Sequence, residues 1–195
     1  MFDLKTRVFL TETRYHCKRA LRLLEMVDQI IELARTTPHE ELEEDVTTLA
    51  HYVLVHAGAV AKLLWPVHAD YATRAETFER GRRLRALLDA DGLATLKDRR
   101  LRHDLDHAAT ALDAWSLPDD QVAVVCHASL GEPEAIRAAF GAMPIELLRA
   151  YDPALMTFEY LGRHFDLAAL SRDLATLGDR ARLLLEDTAA SERMA

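Results

Sequence analysis

Apolar side chains recur every three or four residues along the first 117 residues, and this spacing restricts that part of the chain to amphipathic helices. Proline, glycine and capping residues mark where these helices begin and end. The predicted helices cover Leu4–Ala34, from Thr37-Pro38-His39-Glu40 to Pro66, Ala72–Leu88, and from between Leu93 and Asp98 to before Pro118. Short connections between four such helices predict an antiparallel bundle over residues 1–117.

After Pro118 the pattern changes from long helices to short strands and short helices. The predicted elements are a strand at Gln121–His127, short helices at Glu134–Phe140 and Ile145–Tyr151, and a hairpin from Thr157–Leu161 through Gly162-Arg163 to His164–Phe165. Asp166 is expected to cap a last helix, whose tail frays after Asp187. We therefore predict a mainly α protein in which residues 118–195 form an appendage, with a small strand pair and a final helix, packed on the same domain.

The composition is that of an ordinary soluble protein, with 50% apolar and 29% charged residues in a chain of 195 residues. Cys17 and Cys126 lack the spacing of a metal or redox motif, which favours a cytoplasmic location. The N-terminus shows no signal-peptide pattern. The longest apolar run, Val53–Trp65, is interrupted by His56 and Lys62, so no association with a membrane is expected.

Charge is distributed unevenly along the chain. The formal net charge of −8 argues against a protein that coats nucleic acid non-specifically. Between Arg80 and Arg102, however, eight basic side chains accompany three acidic ones, which gives a net charge of +5. This basic segment is compatible with one local anion site, and equally with a solvated helix face.

The basic segment ends in an arginine that is followed, after four residues, by a histidine. Arginine holds a phosphate by its charge and its fork of donors, and histidine exchanges protons near neutral pH. At about 100° per helical residue, Arg102 and His107 lie roughly 100° and 240° from Leu101, on the face opposite the apolar stripe. Asp106 is one turn from Arg102 and is placed to pair with it. His103 shares this outward face. One exposed helix cannot enclose a site by itself, so a partner subunit is the expected source of the other wall.

The stretch from Arg102 to His107 resembles the Arg-x(4–6)-His signature of the HEPN superfamily (higher eukaryotes and prokaryotes nucleotide-binding domains), helical bundles that include many metal-independent ribonucleases. The longer stretch Leu96–His107 is similar to a bacterial group with "DR-x-LRN-x-x-EH" at this point. This chain has His103 where that group has asparagine and Asp106 where it has glutamate.

The resemblance implies a homodimer in which two such helices face each other across a cleft. It implies that Arg102 steadies the scissile phosphate, that His107 assists attack by a ribose 2′-hydroxyl or protonates the leaving oxygen, and that His103 gives polar support. The basic residues just before the motif are interpreted as phosphate contacts; they are Lys97, Arg99 and Arg100. The predicted activity is metal-independent RNA cleavage without a cofactor, and RNA and an antitoxin or other protein are the expected partners.

Two other interpretations of the same residues stay open. His103 and His107 lie one turn apart, as two metal ligands on one helix face do, and His103-Asp104 is the dipeptide of metal-dependent HD phosphohydrolases. The candidates for the further ligands of such a site are His51, His56 and His68. The two of these in the second helix are more simply interpreted as hydrogen-bonded core histidines. The other interpretation is a non-catalytic helical dimer that binds a nucleotide, RNA or a protein partner.

Overall fold

The computed structural model describes residues 2–37, 41–66, 74–98, 100–101, 112–113 and 124–193. Its helices are α1 (Leu4–Ala34), α2 (Leu42–Leu64), α3 (Arg74–Leu88), α4 (Ala94–Lys97), α5 (Pro133–Ala139) and α6 (Leu167–Arg193). Its strands are β1 (Val124–Cys126), β2 (Ser129–Leu130), β3 (Ile145–Leu147), β4 (Arg149–Asp152), β5 (Thr157–Tyr160) and β6 (Arg163–Asp166). The protein is therefore mainly helical, with a small sheet region towards the C-terminus.

The first two helices follow the sequence prediction closely. Helix α1 has both predicted ends, and Asp3 caps it, because its Oδ1 accepts a hydrogen bond of 2.6 Å from the backbone N–H of Thr6. Helix α2 ends at Leu64, just before Pro66, as predicted. It begins at Leu42, later than the predicted start at Thr37-Pro38-His39-Glu40, of which residues 38–40 lie outside the described part of the chain.

The fourth helix is predicted to begin between Leu93 and Asp98, and the described residues there form two helical segments, of which the second begins after Asp98. Helix α4 has one turn and ends at Asp98, whose φ of −57° and ψ of 124° are extended. Helical geometry returns at Arg100–Leu101 and is described again at Leu112–Asp113. The physical reason is local competition, because Asp98 Oδ1 accepts the backbone N–H of Arg100 at 2.9 Å and so starts a new helical segment. The third helix, α3, ends at Leu88 as predicted.

By internal contacts the chain divides into two compact units, and the first takes its described residues from 1–21, 54–103 and 170–195. Its core is built from the apolar faces of helices; the large side chains in it include Leu10, Leu54, Leu64, Leu84, Leu88, Leu96, Leu174 and Leu177. Glycine allows close contact at one crossing, since a Cβ on Gly81 would lie 2.7 Å from Pro66 Cδ and 2.8 Å from the Leu64 carbonyl oxygen. Asp173 ties α6 to α4 by accepting from Thr95 Oγ1 at 2.6 Å.

The second unit takes its described residues from 22–53 and 104–169 and contains the strands. Strand β1 pairs in parallel with β3, and the other sheet has the order β2-β4-β5-β6, in which only β2 and β4 run parallel. The predicted helix at Ile145–Tyr151 is therefore wrong, because these residues form β3 and the first part of β4. Burial alternates along Ile145–Leu147, and pairing with distant strands decides the conformation that local helical spacing suggested.

Strand β1 lies within the predicted strand Gln121–His127, and α5 is the predicted helix Glu134–Phe140 shifted by one residue, whereas no strand is predicted at β2. Strands β5 and β6 form the expected hairpin, but its turn is Leu161-Gly162, with φ of 52° and 72°, one residue before the predicted position. Asp166 caps α6 as predicted, accepting the backbone N–H of Ala169 at 2.7 Å. Helix α6 continues past Asp187 to Arg193, so the expected fraying is wrong; Thr188 in that stretch is 6% exposed.

Helix α2 is the one described helix that is long and apolar enough to cross a membrane. Half of its most apolar window is buried inside the protein. The core helix of a soluble protein has these properties, and the finding is consistent with one. Cys17 and Cys126 are both free thiols, and burial raises the pKa of the Cys17 thiol to about 12.

Candidate functional site

Most residues of the predicted catalytic motif lie outside the described part of the chain. These are Arg99, Arg102, His103, Asp106 and His107. The structure places Lys97 at the last position of α4 and Arg100 at the helical start that follows Asp98. Arg102 and His107 lie outside the described residues, so the composition of the site, including whether Lys97 and Arg100 lie near them, stays a prediction.

The residues just before the motif form an ordered helix start. Asp98 accepts from the backbone N–H of Arg100 and from its guanidinium, with Nε at 2.8 Å and Nη2 at 2.5 Å. These charge-assisted bonds raise the pKa of Arg100, chiefly through the hydrogen bond to Asp98. Leu101, the last described residue before the motif, is only 2% exposed. Because Asp98 occupies the Nε–Nη2 edge of the guanidinium, a two-bond contact of that edge with phosphate requires that Arg100 leave Asp98.

Most described arginines of the basic segment are paired with carboxylates of the same chain. The pairs are Arg82 with Glu79, Arg83 with Asp3, Arg85 with Asp91, and Arg100 with Asp98, at 2.6, 3.1, 3.2 and 2.5 Å. Such exposed pairs contribute little stability, but they compensate the positive charge locally. The described part of this segment is therefore closer to a solvated, paired helix face than to one continuous anion site.

Arg80 differs from these neighbours. Its guanidinium carbon lies 4.8 Å above the centre of the Phe9 ring, a cation–π contact between α3 and α1. Its Nε is buried, and no hydrogen-bond acceptor for it exists among the residues that the structure describes. Burial lowers the pKa of Arg80, because the charged guanidinium is partly removed from water.

Arg80 lines a cleft of 270 Å³ between the first turns of α1 and the middle of α3. Phe9 and Leu84 supply apolar wall, and Lys5 and Glu76 stand among the charged residues of the lining. Six of the nine lining residues are charged, so the apolar wall is limited to Phe9 and Leu84 beside Arg80. Small-molecule sites in proteins are concave and combine apolar surface with a few polar groups. No sequence pattern indicates this cleft, because its two parts lie about seventy residues apart along the chain.

A second unpredicted cluster in the first unit is a pair of imidazoles. The Nδ1 atoms of His16 and His56 are 2.9 Å apart, so one donates a proton to the other. At this distance both nitrogens cannot carry protons, and the pair is neutral or shares one positive charge. Burial lowers the pKa of both histidines, and Arg19 adds to the effect at His56 while Glu12 opposes it at His16.

The histidines considered as metal ligands have other contacts. The hydrogen bond expected for His56 is confirmed, with His16 as its partner. His51 instead has a buried Nδ1 without a partner among the described residues, and its ring meets the Tyr160 ring edge-on at 4.9 Å. In the described stretches no three His, Cys, Asp or Glu side chains are grouped so that they could hold a metal ion. His68 lies outside those stretches.

The second unit contains a buried carboxylate on β5, the strand that lies between β4 and β6. Glu159 is 0% exposed, and its Oε1 accepts from Arg137 Nη2 at 2.5 Å. His164, directly opposite on β6, places Nε2 at 3.4 Å from Oε2, which has no hydrogen bond among the described residues. The same arginine reaches the exposed Glu134 at 3.2 Å. This is a structural ion pair that links α5 to the sheet, and no substrate-sized cleft is described beside it.

Among these clusters, the Arg80 cleft has the form of a binding site and the His16–His56 pair is a group that can titrate. Neither depends on the predicted motif at Arg102 and His107. No protein-family model, curated protein or solved structure matches this chain.

Proposed function

We propose that the protein is a metal-independent endoribonuclease of HEPN type that acts through Arg102 and His107. The observation that carries the proposal is the Arg102-x4-His107 motif, placed directly after a basic segment. Two described features support it: the helical protein around the motif, and the capped helix start at Asp98–Leu101 with Leu101 in the core. On a helix continued from this start, Arg102 and His107 project away from the core side of Leu101.

In the proposed reaction the ribose 2′-oxygen forms a bond to the adjacent phosphorus, and the bond from phosphorus to the 5′-oxygen of the next nucleotide breaks. His107 takes the 2′-hydroxyl proton or delivers one to the leaving 5′-oxygen, and Arg102 holds the charged phosphate oxygens. The products are a 2′,3′-cyclic phosphate and a 5′-hydroxyl end. Arg102 is supported by Asp106, and His103 provides a further polar contact in the site.

The proposed active form is a homodimer in the cytoplasm. One outward helix face cannot exclude water from a reacting phosphate, and a second copy supplies the opposite wall of the cleft. Lys97 and Arg99 extend the contact along the RNA backbone, and Arg100 joins them when it exchanges Asp98 for a phosphate oxygen. An antitoxin or another protein that covers this face is the proposed regulator.

The test is RNA cleavage by the full chain in the presence of EDTA, with Arg102→Ala and His107→Ala measured separately. Each variant is expected to lose about a hundredfold or more of the rate, since general acid–base catalysis contributes about 10²–10⁴-fold. The melting temperature is expected to stay close to that of the unchanged protein. The matched control is His127→Ala, which removes an exposed histidine outside the motif.

The cleaved ends identify the mechanism, because only 2′-hydroxyl attack leaves a cyclic phosphate. Cleavage that is equally fast in both motif variants, or that requires a divalent metal ion, rejects the proposal. Sedimentation of the protein at several concentrations tests the dimer separately from the chemistry.

A second candidate is a non-catalytic helical dimer that binds a nucleotide, RNA or a protein. The observation that favours it is the pairing of four arginines of the basic segment with carboxylates of their own chain, which reduces the charge available to RNA. This candidate predicts stabilisation by a nucleotide or by RNA without any cleavage. Thermal melting with and without these ligands, alongside the cleavage assay, separates the two candidates.

A further inference from the structure

We propose that the cleft between α1 and α3 binds a small organic carboxylate with an apolar body, and that Arg80 holds the carboxylate. This binding site goes beyond the proposed ribonuclease, since it uses neither Arg102 nor His107. The proposal rests on the acceptor that the described residues do not supply to Arg80 Nε, on the charges around Arg80 and on the walls of the cleft.

The guanidinium of Arg80 is placed to hold an anion. A planar guanidinium binds a carboxylate through two parallel hydrogen bonds, and such pairs are the strong form of this contact. Here the Nε atom is buried without an acceptor in the described residues, although buried donors are nearly always satisfied in proteins. The Phe9 ring lies 4.8 Å from the guanidinium carbon and gives the cation an apolar neighbour.

The acidic residues of the cleft do not fill this role. Glu79 binds Arg82 through both of its oxygens, at 2.9 and 2.6 Å. Asp3 accepts from the Thr6 backbone N–H and from Arg83, at 2.6 and 3.1 Å. Since these two carboxylates are paired with other arginines, Arg80 is left as a cation without a carboxylate partner among the described residues.

Two further charged residues line the cleft, and they oppose each other. Lys5 and Glu76 are both exposed and carry opposite charges, so they leave the sum of the lining unchanged. The lining has three acidic and three basic residues, and its excess positive charge appears only when Arg82, which binds Glu79 from outside the lining, is counted. With the pairs Asp3–Arg83 and Glu79–Arg82 formed, Arg80 is the lining arginine without a described carboxylate partner. A single negative charge on the ligand matches it.

The size and walls of the cleft restrict the rest of the ligand. Its volume of 270 Å³ is close to the lower limit of small-molecule sites, about 300 Å³. Phe9 and Leu84 provide apolar surface beside Arg80, with Leu84 one turn further along α3. A single ring or a short acyl chain that carries one carboxylate fits these limits, whereas a nucleotide is too large and too polar.

The experiment uses the full chain and benzoate as the probe, with benzamide as its uncharged equivalent and inorganic phosphate as an anion without an apolar body. Benzoate is expected to raise the melting temperature in a saturable way. Benzamide and phosphate are expected to bind about tenfold or more weakly, since each lacks one of the two required contacts. Titration calorimetry gives the affinities directly.

Two variants locate the site. Arg80→Met keeps the length of the side chain but removes the donors, and it is expected to weaken benzoate binding by about tenfold or more. Arg14→Met removes an exposed guanidinium on α1 that does not line the cleft, and it is expected to leave binding unchanged. Equal affinity for benzoate and benzamide, or unchanged affinity in Arg80→Met, overturns the proposal.

A measurement on the unchanged protein keeps the proposal testable if Arg80→Met does not fold. The Nε–H group of Arg80 gives its own nitrogen–proton NMR signal, and saturating benzoate is expected to shift it downfield as a hydrogen bond forms. An Arg80 signal that stays in place at saturation overturns the proposal, as does the absence of saturable benzoate binding. None of these outcomes depends on RNA cleavage.

Discussion

Two ionisable side chains with buried polar atoms, Glu159 in the second unit and Arg80 in the first, differ in how they are partnered; the contrast is between these two groups, since His51 of the second unit also has a buried Nδ1 without a described partner. In the second unit the buried Glu159 has a salt bridge to Arg137 and a histidine within 3.4 Å. In the first unit the described residues supply neither an acceptor nor a counter-ion to the buried Nε of Arg80, and His16 and His56 are held against each other. Glu159 and Arg137 therefore hold elements of the fold together, whereas Arg80 has a donor that no described residue accepts.

The comparison has a physical basis. Removing one partner of a buried ion pair leaves an uncompensated charge in a poorly solvated site, so both partners are needed for stability. A buried donor without an acceptor costs free energy in the folded protein, and a ligand that satisfies it recovers that cost on binding. Paired groups are therefore expected to respond to mutation in stability, and unpaired groups in binding and in pH dependence.

The largest effect on stability is expected when the pair in the second unit is broken. Arg137→Met should lower the free energy of unfolding by about 3 kcal/mol, because it leaves Glu159 buried without its cation. Adding Glu159→Gln to that variant should restore part of the loss, since the remaining side chain is neutral. Urea unfolding measures both.

The control for this pair is Glu134→Gln, which removes the exposed carboxylate on the other side of Arg137 and should change stability by less than about 1 kcal/mol. If Arg137→Met and Glu134→Gln have equally small effects, Glu159 is not held as a structural charge. The contrast between Glu159 and Arg80 would then disappear.

A smaller effect is expected at the helix crossing that positions Arg80. Gly81→Ala should destabilise the protein by about 1–2 kcal/mol, since the added Cβ would lie 2.8 Å from the Leu64 carbonyl oxygen, and overpacking outweighs the gain in helix propensity. The matched control is Gly92→Ala, where a Cβ meets no atom within 4 Å. Thermal or urea unfolding compares them, and a Gly81→Ala protein that is more stable than its parent contradicts the close contact.

The smallest effect on stability is expected when the pH is lowered. Burial lowers the pKa of His16 and His56 from the ordinary value of 6.5, so the unfolded chain binds protons before the folded protein does. The stability of the neutral pair is complete above pH 6.5 and is lost as the pH falls towards the folded-state values. Unfolding measured between pH 8 and pH 5, roughly the range over which histidine changes charge, should show this decline.

The double variant His16→Gln with His56→Gln should show a shallower decline than the unchanged protein. His51 titrates in the same direction, because burial and then Arg149 lower its pKa, so part of the decline remains in the variant. The control is His127→Gln, which replaces an exposed histidine. A pH profile that is identical in the double variant and the unchanged protein shows that the pair makes no contribution.

Local sequence patterns were sufficient to predict several helix boundaries. The bounds of α1, the ends of α2 and α3 and the Asp166 cap of α6 depend on spacing, proline and capping within a few residues, and the structure confirms them. The helix predicted at Ile145–Tyr151 failed for the opposite reason, since the strand conformation there depends on partners elsewhere in the chain.

The sequence by itself determined a mainly helical protein and the Arg102-x4-His107 motif, because both depend on residues that are close together in the sequence. Only the tertiary structure decided which charges have partners. His16 meets His56 across forty residues, Arg137 meets Glu159 across twenty-two, and Arg80 meets the Phe9 ring but no carboxylate among the described residues. Such contacts depend on how helices and strands come together in space, and no local pattern of residues encodes them.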